Sequence, residues 1–423
     1  MAPGRRTPRG RVVVLSIMLF LEHAIRGAWV PILPLHLQDL HFSGSQIGAI
    51  YAMLALAAIL APWLGGQLAD RIMPAQLVLL LAHLIGAVTL WLAASATDFH
   101  LILLLLLLNS LVYMPTLSLS TLIVFRHLAD REREFGPVRM WGTASWIVVA
   151  GMLWLWLSRP AWLPGAASAT TADALRLGAL LSVLLAGYSL ALPATPPDVR
   201  PDSPRLAAAG ALRILAGRSN VVFMLVSFLL AMGLPFAYPF GGLFLRTLGA
   251  SDAQVAPLMA LGQVGEVFAF LLLALVVTRI GLKATFLIGV AAWAVRFAIW
   301  SAGGPWPLVV ASLGLHGLCF AFVLGLGQVY VDQISPPDVR ASSQALHQVL
   351  TFGLGGWVGN LLAGAAVDHF TRVLADGTRV VDYGRVYFWP AVGAGACFVL
   401  FAWLFTSPRP TAAQRPSPPD LSI

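Results

Sequence analysis

Twelve long apolar stretches constrain this chain more than any other feature of its sequence. Hydrophobic residues make up 59% of its 423 residues and charged residues only 10%, whereas soluble domains hold roughly 45–50% and about 25%. Each stretch is long enough to cross a bilayer as an α-helix. The sequence therefore predicts an all-α polytopic membrane protein with twelve transmembrane helices, at 12–38, 44–69, 74–96, 99–127, 137–158, 172–193, 219–246, 252–278, 283–302, 305–331, 340–369 and 384–406.

The basic residues predict how these helices are oriented. Twelve spans place both termini on one side, and the loops of that side hold 17 of the 26 Lys and Arg residues, against six in the opposite loops and three within spans. Because cytoplasmic loops are enriched in Lys and Arg, we expect cytoplasmic termini and a location in the inner (cytoplasmic) membrane. The formal charge of +8 is scattered over short loops, which argues against a nucleic-acid partner.

The chain divides near residues 194–218, a segment rich in Pro, Arg and Ala. Six spans lie on each side, and the segment from Leu35 aligns with the segment from Leu243 at a constant offset. Both copies place Ser-x-x-Gln before an apolar run, which is a capping-box pattern, although Leu-rich helices also align by chance. We expect two six-helix pseudo-repeats, at 1–193 and 219–423, joined by a cytoplasmic central loop at 194–218.

Gly and Pro interrupt the first and seventh spans at corresponding positions. The first contains Gly27, Pro31 and Pro34, and the seventh contains Pro235 and Pro239. Interrupted helices at paired positions of two repeats indicate a solute site between the repeats. The pattern predicts a central site that is exposed alternately to each side of the membrane.

Charged residues inside apolar spans indicate a path for a solute or for protons, because such charges are costly in lipid and usually face a wet cavity. The first span contains Glu22 and Arg26, one helical turn apart, which could form an intrahelical ion pair. Arg139 and Arg296 lie in the fifth and ninth spans. Glu266 lies far from either end of the eighth span and could load and release a proton; the alternative is a neutral structural carboxyl.

Two sets of polar or aromatic residues share a helix face with these charges. Arg139 and Thr143 are one turn apart, and Trp146 continues their face. Arg139 and Thr143 could bind hydroxyl groups and Trp146 could stack on a flat ring, although an aromatic residue in a span is often structural. Gln263 is one turn from Glu266 on the eighth span.

The segment GGQLADR (65–71) ends the second span with Asp70 and Arg71, which could pair with a neighbouring bundle. The equivalent loop of the second half reads DQISPPDVR and contains Asp332 and Arg340. With twelve spans and a central loop, GGQLADR resembles the loop signature of the major facilitator superfamily. The four charged residues are predicted to act in gating.

Longer strings resemble a narrower family, the nucleoside:proton symporters of that superfamily. They are LLNSLVYMPTLSLS (107–120), GPVRMWGT (136–143), AAWAVRFAIW (291–300) and ISPPDVRASSQ (334–344). The resemblance implies the twelve-helix major facilitator fold and nucleoside import driven by inward proton flow. It implies a small-molecule substrate and protons as partners within the lipid bilayer, a monomer, and no cofactor besides the proton gradient.

The resemblance also assigns roles to residues that match the family pattern. It implies nucleoside binding by Arg139, Thr143, Trp146, Gln263, Glu266 and Phe320, and proton coupling by Glu266. Tyr238 and Pro235 stand where the family has amides, and Ala321 replaces an acidic residue. Tyr238 is therefore expected to line a less polar pocket, and Glu22 could replace the missing acid as a second proton carrier.

Other function classes fit less well. A channel needs a continuous polar pore, whereas the charged residues lie singly on different spans. An enzyme would need a nucleophile with its base or a metal cluster, and the sequence has no HExxH, GxSxG or Cys-His array, so no enzymatic activity is expected. The alternative that remains open is a major facilitator importer or exporter of another small solute, such as a sugar, nucleobase or drug.

Overall fold

The computed structural model describes residues 6–71, 73–159, 161–197, 212–336 and 339–406, without the side chains of 61–71, 132, 166, 213 and 341. Helices dominate these residues. They are α1 Arg9–Trp29, α2 Leu33–Asp39, α3 Gly44–Arg71, α4 Ala75–Ala93, α5 Phe99–His127, α6 Arg131–Leu157, α7 Asp173–Ser189, α8 Arg218–Ala237, α9 Pro239–Thr247, α10 Asp252–Ser301, α11 Trp306–Leu313, α12 His316–Cys319, α13 Leu326–Ile334, α14 Arg340–Gln348, α15 Gly356–His369 and α16 Tyr383–Leu404.

Every predicted span is helical in the structure. Nine helical stretches of the described residues are long and apolar enough to cross a bilayer, and Gly44–Leu60 is a shorter apolar helix. The stretch Asp252–Ser301 contains two predicted spans, which are separated by Gly281 at φ 83°. Two π-helical turns, Phe320–Gly325 and Val349–Gly355, continue α12 into α13 and α14 into α15.

The predicted interruptions and caps are confirmed. The first span breaks between α1 and α2, and the seventh breaks at Tyr238 between α8 and α9. At the start of α3 the Ser43 amide donates to the Gln46 side chain and the Gln46 amide to the Ser43 hydroxyl. Ser251 and Gln254 form the same box at the start of α10.

Each half packs mainly on itself. In the first half α1 lies against α6 and α7, and α4 against α5 and α7. In the second half α10 packs against α12 and α16, and α8 against α15 and α16. Across the halves, α3 contacts α15 and α6 contacts α10. The space between these two interhalf contacts is where a central site can form.

The two ends of the helical bundle differ in what connects the helices. The start of α1 and the end of α16 lie at one end, here called the terminal end; the connections 40–43, 248–251 and 370–382 lie at the other, here called the far end. A small antiparallel hairpin, β1 Thr371–Val373 with β2 Arg379–Val381, lies at the far end. The sequence analysis did not predict it, because three-residue strands give no clear alternating pattern. The central loop from 198 to 211 and the tail from 407 lie outside the described residues.

Candidate substrate cavity between the two halves

The far end is closed by polar contacts between the halves. Arg246, at the end of α9, pairs with Asp39 from the first half at 2.8 Å and with Asp252 from its own half at 3.0 Å. Its guanidinium also donates to the Gln38 amide oxygen at 3.1 Å. These contacts, here called the Arg246 network, tie α2 to α9 and to the start of α10.

A second far-end contact joins α3 to α15. The carboxylate of Asp368 accepts hydrogen bonds from the Gly44 amide at 2.6 Å and the Ser45 amide at 2.8 Å. These amides are free at a helix start, where a negative charge is favourable. A Cβ on Gly48 would overlap the Asn360 carbonyl, and a Cβ on Gly364 would overlap the Gly44 carbonyl. The two helices therefore touch through backbone atoms.

Between the far end and the terminal end lies a cavity made of two adjoining recesses. Trp146 and Tyr238 line both recesses. The larger recess encloses about 850 Å³ including the open solvent at its mouth. Side chains from both halves form the walls, so a solute bound here contacts both halves, as alternating access requires.

Four residues predicted from the sequence meet at this cavity. Trp146 reaches it because Gly27 has no side chain; a Cβ there would lie 3.3 Å from the indole ring. The Gln263 amide donates to the Tyr238 hydroxyl at 3.1 Å and lines the smaller recess. Phe320, at the start of the first π-helical turn, lines the larger recess. The cavity thus combines flat apolar rings with an amide.

Three other predicted residues lie beside the recesses and not in their linings. Arg139, Thr143 and Glu266 are half-buried on α6 and α10. The charges of Arg139 and Glu266 attract each other across the gap between these helices. Gly317 of α12 packs directly on the Gly265–Glu266 backbone, which holds this part of α10 in place. The structure therefore puts the acid beside the cavity and outside the linings of both recesses.

The intrahelical Glu22–Arg26 ion pair, which the spacing allowed as one alternative, is not among the contacts of the described residues. Glu22 is fully buried and accepts a hydrogen bond from Thr116 at 2.6 Å, while its other oxygen lies 3.1 Å from His83 Nε2. Tyr113 donates to the Glu22 backbone carbonyl at 2.6 Å. The side chain of Glu22 therefore points to α4 and α5, where better partners lie, and not along α1.

Arg26 points into the larger recess instead. Its guanidinium lies 5.8 Å from the Trp29 ring and 5.5 Å from the Tyr113 ring, and within the described residues no carboxylate lies at ion-pair distance. Such cation–π contacts contribute about 0.5–2 kcal/mol, whereas burying an ion costs several kcal/mol. The rings alone do not offset the burial of Arg26.

Arg296 lines the smaller recess from the second half and is 3% exposed. Its Nη1 lies 3.1 Å from His316 Nδ1, and its charge lies 4.6 Å from the Trp300 ring centre. A guanidinium can only donate, so Nδ1 of His316 accepts and Nε2 is the protonated nitrogen. His316 Nε2 is buried with no partner among the described residues.

The sequence analysis missed His83, His316 and the Arg246 network. Each histidine is a lone titratable residue in an apolar helix, which is the signal that could have identified it. Arg246 and Gln38 are separated by 208 positions, the offset of the internal repeat, so the alignment already paired them.

The predicted gating residues are only partly described: Arg340 pairs with Asp332 at 3.3 Å within the second half, and the side chains of Asp70 and Arg71 lie outside the described residues.

Comparison with known proteins establishes the family. The nucleoside H+ symporter family profile matches residues 10–409. The chain belongs to this family. It is 35% identical over 361 residues to the putative nucleoside transporter YegT of Escherichia coli, covering 84% of each protein. It is 30% identical over 414 residues to the xanthosine permease of the same organism, covering 92% of this chain and 94% of the permease.

Solved structures agree with this assignment. The crystal structure of the nucleoside transporter NupG matches with a TM-score of 0.82 at 28% identity, covering 94% of this chain and 99% of that one. A D-xylose-proton symporter shares the fold at a TM-score of 0.69 and 13% identity. The predictions of a major facilitator fold, a proton-coupled membrane transporter and no enzymatic activity are confirmed.

Proposed function

We propose that this protein imports nucleosides together with protons across the cytoplasmic membrane. The observation that supports the proposal most strongly is the cavity between the halves, where Trp146, Tyr238, Gln263 and Phe320 meet. Flat rings and one amide suit a nucleobase, which offers two π-faces and a polar edge. Relatives named as nucleoside and xanthosine transporters support the same solute class.

The neighbouring polar residues are assigned to the sugar and the proton. Arg139 and Thr143 lie beside the cavity on α6, where they would bind ribose hydroxyl groups. Glu266 lies one turn from Gln263, so its protonation changes the charge of the site that binds the solute. Glu22, which contacts His83 and Thr116, is proposed as a second proton carrier in the first half.

The proposed transport cycle uses the two ends of the bundle alternately. All hydrogen bonds and ion pairs that join described side chains across the halves lie at the far end. The structure therefore corresponds to a state closed at the far end. We propose that Asp70, Arg71, Asp332 and Arg340 act in gating at the terminal end, which the excess of basic loops assigns to the cytoplasm. The transporter is proposed to act as a monomer.

Uptake by proteoliposomes tests this proposal. Purified protein would be reconstituted and given labelled uridine or thymidine with an imposed inward proton gradient, with a protonophore as control. We expect accumulation above equilibrium that the protonophore abolishes. Absence of uptake of either nucleoside would refute nucleoside transport, and uptake unaffected by the protonophore would refute proton coupling.

A further inference from the structure

The cavity has a positive charge that the proposed nucleoside site leaves unused. Arg26 lies in the larger recess with Tyr51, Trp146, Tyr238 and Phe320, the rings available to a nucleobase. Its nearest described contacts are two aromatic rings and the Met114 sulfur at 3.7 Å. None of these supplies a negative charge, so the Arg26 guanidinium faces the solute space without a counterion.

The opposite wall repeats this arrangement. Arg296 also lines the cavity, and its partners among the described residues are His316 and the Trp300 ring. Its Nε nitrogen is buried without a hydrogen-bond partner among the described residues. Two arginines, one from each half, therefore line adjoining recesses of the cavity, Arg26 the larger and Arg296 the smaller.

The nearby carboxylates do not neutralise these arginines. Both oxygens of Glu22 are engaged, one by Thr116 and the other by His83. The charge of Glu266 is opposed by that of Arg139. Cation–π contacts recover only part of the cost of burying a guanidinium. A negative charge delivered by the solute would supply the missing partner through charge-assisted hydrogen bonds.

We propose that the preferred solute is a nucleoside whose base bears a negative charge, as a carboxylate or an ionised ring, and that Arg26 binds that charge. This inference rests on the proposed nucleoside transport. The charge is placed on the base because Arg26 shares its recess with the aromatic rings. Arg296 lines the adjoining smaller recess and adds a second positive charge to the cavity.

A matched pair of solutes tests the inference. Orotidine is uridine with a carboxylate added to the base. The two nucleosides have the same pyrimidine ring and the same ribose. In proteoliposomes with an inward proton gradient, we expect the wild type to take up orotidine with a KM about 10- to 100-fold below that for uridine, the worth of one charge-assisted contact. Arg26→Gln should remove this preference, so that the ratio of the two KM values approaches one, whatever its effect on uridine uptake itself.

Arg26→Lys serves as the control for charge and folding. It keeps the positive charge without the planar fork, so it should retain part of the orotidine preference. Uridine uptake equal to or better than orotidine uptake in the wild type would overturn the inference and leave the proposed function intact. Equal loss of both solutes in Arg26→Gln would also overturn it. Absence of uptake of both solutes by the wild type would instead refute the proposed function.

Discussion

The helices α3 and α10 begin alike and differ in the middle. Each starts with a Ser-x-x-Gln capping box, formed in the structure at Ser43 and at Ser251. The repeat offset of 208 that relates these serines places Ala55 and Ala58 of α3 opposite Gln263 and Glu266 of α10. The polar pair at and beside the cavity is therefore present in one copy only.

Just past its start, α3 packs closely on α15. Gly48 lies against the Asn360 carbonyl of α15, while the matching position of α10 is Ala256. Small residues let two helices approach closely in a membrane. The two helices share their starts and differ further along: α3 packs closely on α15, whereas α10 carries Gln263 at the cavity and Glu266 beside it.

Replacing the acid of α10 should have the largest effect. Glu266→Gln removes the titrating group with little change in shape, so gradient-driven accumulation of uridine should fall at least about 100-fold, while counterflow exchange of labelled for unlabelled uridine should persist. Both fluxes would be measured in proteoliposomes. Asp376→Asn, in the exposed hairpin turn, is the matched control and should be unaffected. Full gradient-driven accumulation in Glu266→Gln would remove the functional distinction between α10 and α3.

Adding a methyl group to the contact face of α3 should have the next largest effect. In Gly48→Ala the new Cβ meets the Asn360 carbonyl, and such overpacking costs about 1–3 kcal/mol. We expect a lower melting temperature in detergent and slower uptake. Gly187→Ala, where a Cβ meets no atom within 4 Å, is the control. Equal melting temperatures of the two variants would show that α3 and α15 do not depend on backbone contact.

The amide of α10 should contribute a smaller effect on affinity. Gln263→Ala removes a hydrogen-bonding group at the cavity, worth about 0.5–1.5 kcal/mol, so the KM for uridine should rise roughly 2- to 12-fold. Gln344→Ala, which removes an amide bonded to the Gln328 carbonyl at an exposed site, should leave the KM unchanged. An unchanged KM in Gln263→Ala would place the solute away from this part of α10.

Removing the capping serine at the start of α3 or of α10 should have the smallest effect, and the two losses of stability should be similar. Ser43→Ala and Ser251→Ala each remove one capping hydroxyl, at a typical cost of about 0.5–2 kcal/mol. Thermal unfolding should show similar losses for both variants, with nucleoside KM values unchanged. Ser168→Ala, at an exposed loop hydroxyl, provides the baseline. A loss confined to one cap would contradict the equivalence of the two helix starts.

The features that depend on local sequence could be predicted. Span positions follow from hydropathy, the breaks near Pro31 and Pro239 from proline geometry, and the caps from residue spacing. The partners of buried groups could not be predicted, because they depend on how each helix is rotated and placed against its neighbours. Glu22 illustrates this limit: spacing offers it Arg26 one turn away, whereas packing supplies His83 and Thr116.

The same limit applies to the cavity. The chemistry of Trp146, Gln263 and Phe320 could be read from the chain, but the placing of Arg26 and Arg296 in adjoining recesses depends on the packing of the two halves. The Arg246 network spans three helices, so no single window of sequence contains it. The internal repeat is the signal that could have identified part of it.

Proton movement during solute entry tests directly whether this protein couples nucleoside uptake to protons. Proteoliposomes containing the wild-type protein and a trapped pH-sensitive dye would be mixed with uridine, with no proton gradient imposed. If protons enter together with uridine, the lumen acidifies as uridine enters, and vesicles without protein show no change in pH. Entry of labelled uridine with no acidification of the lumen would contradict proton-coupled transport by this protein.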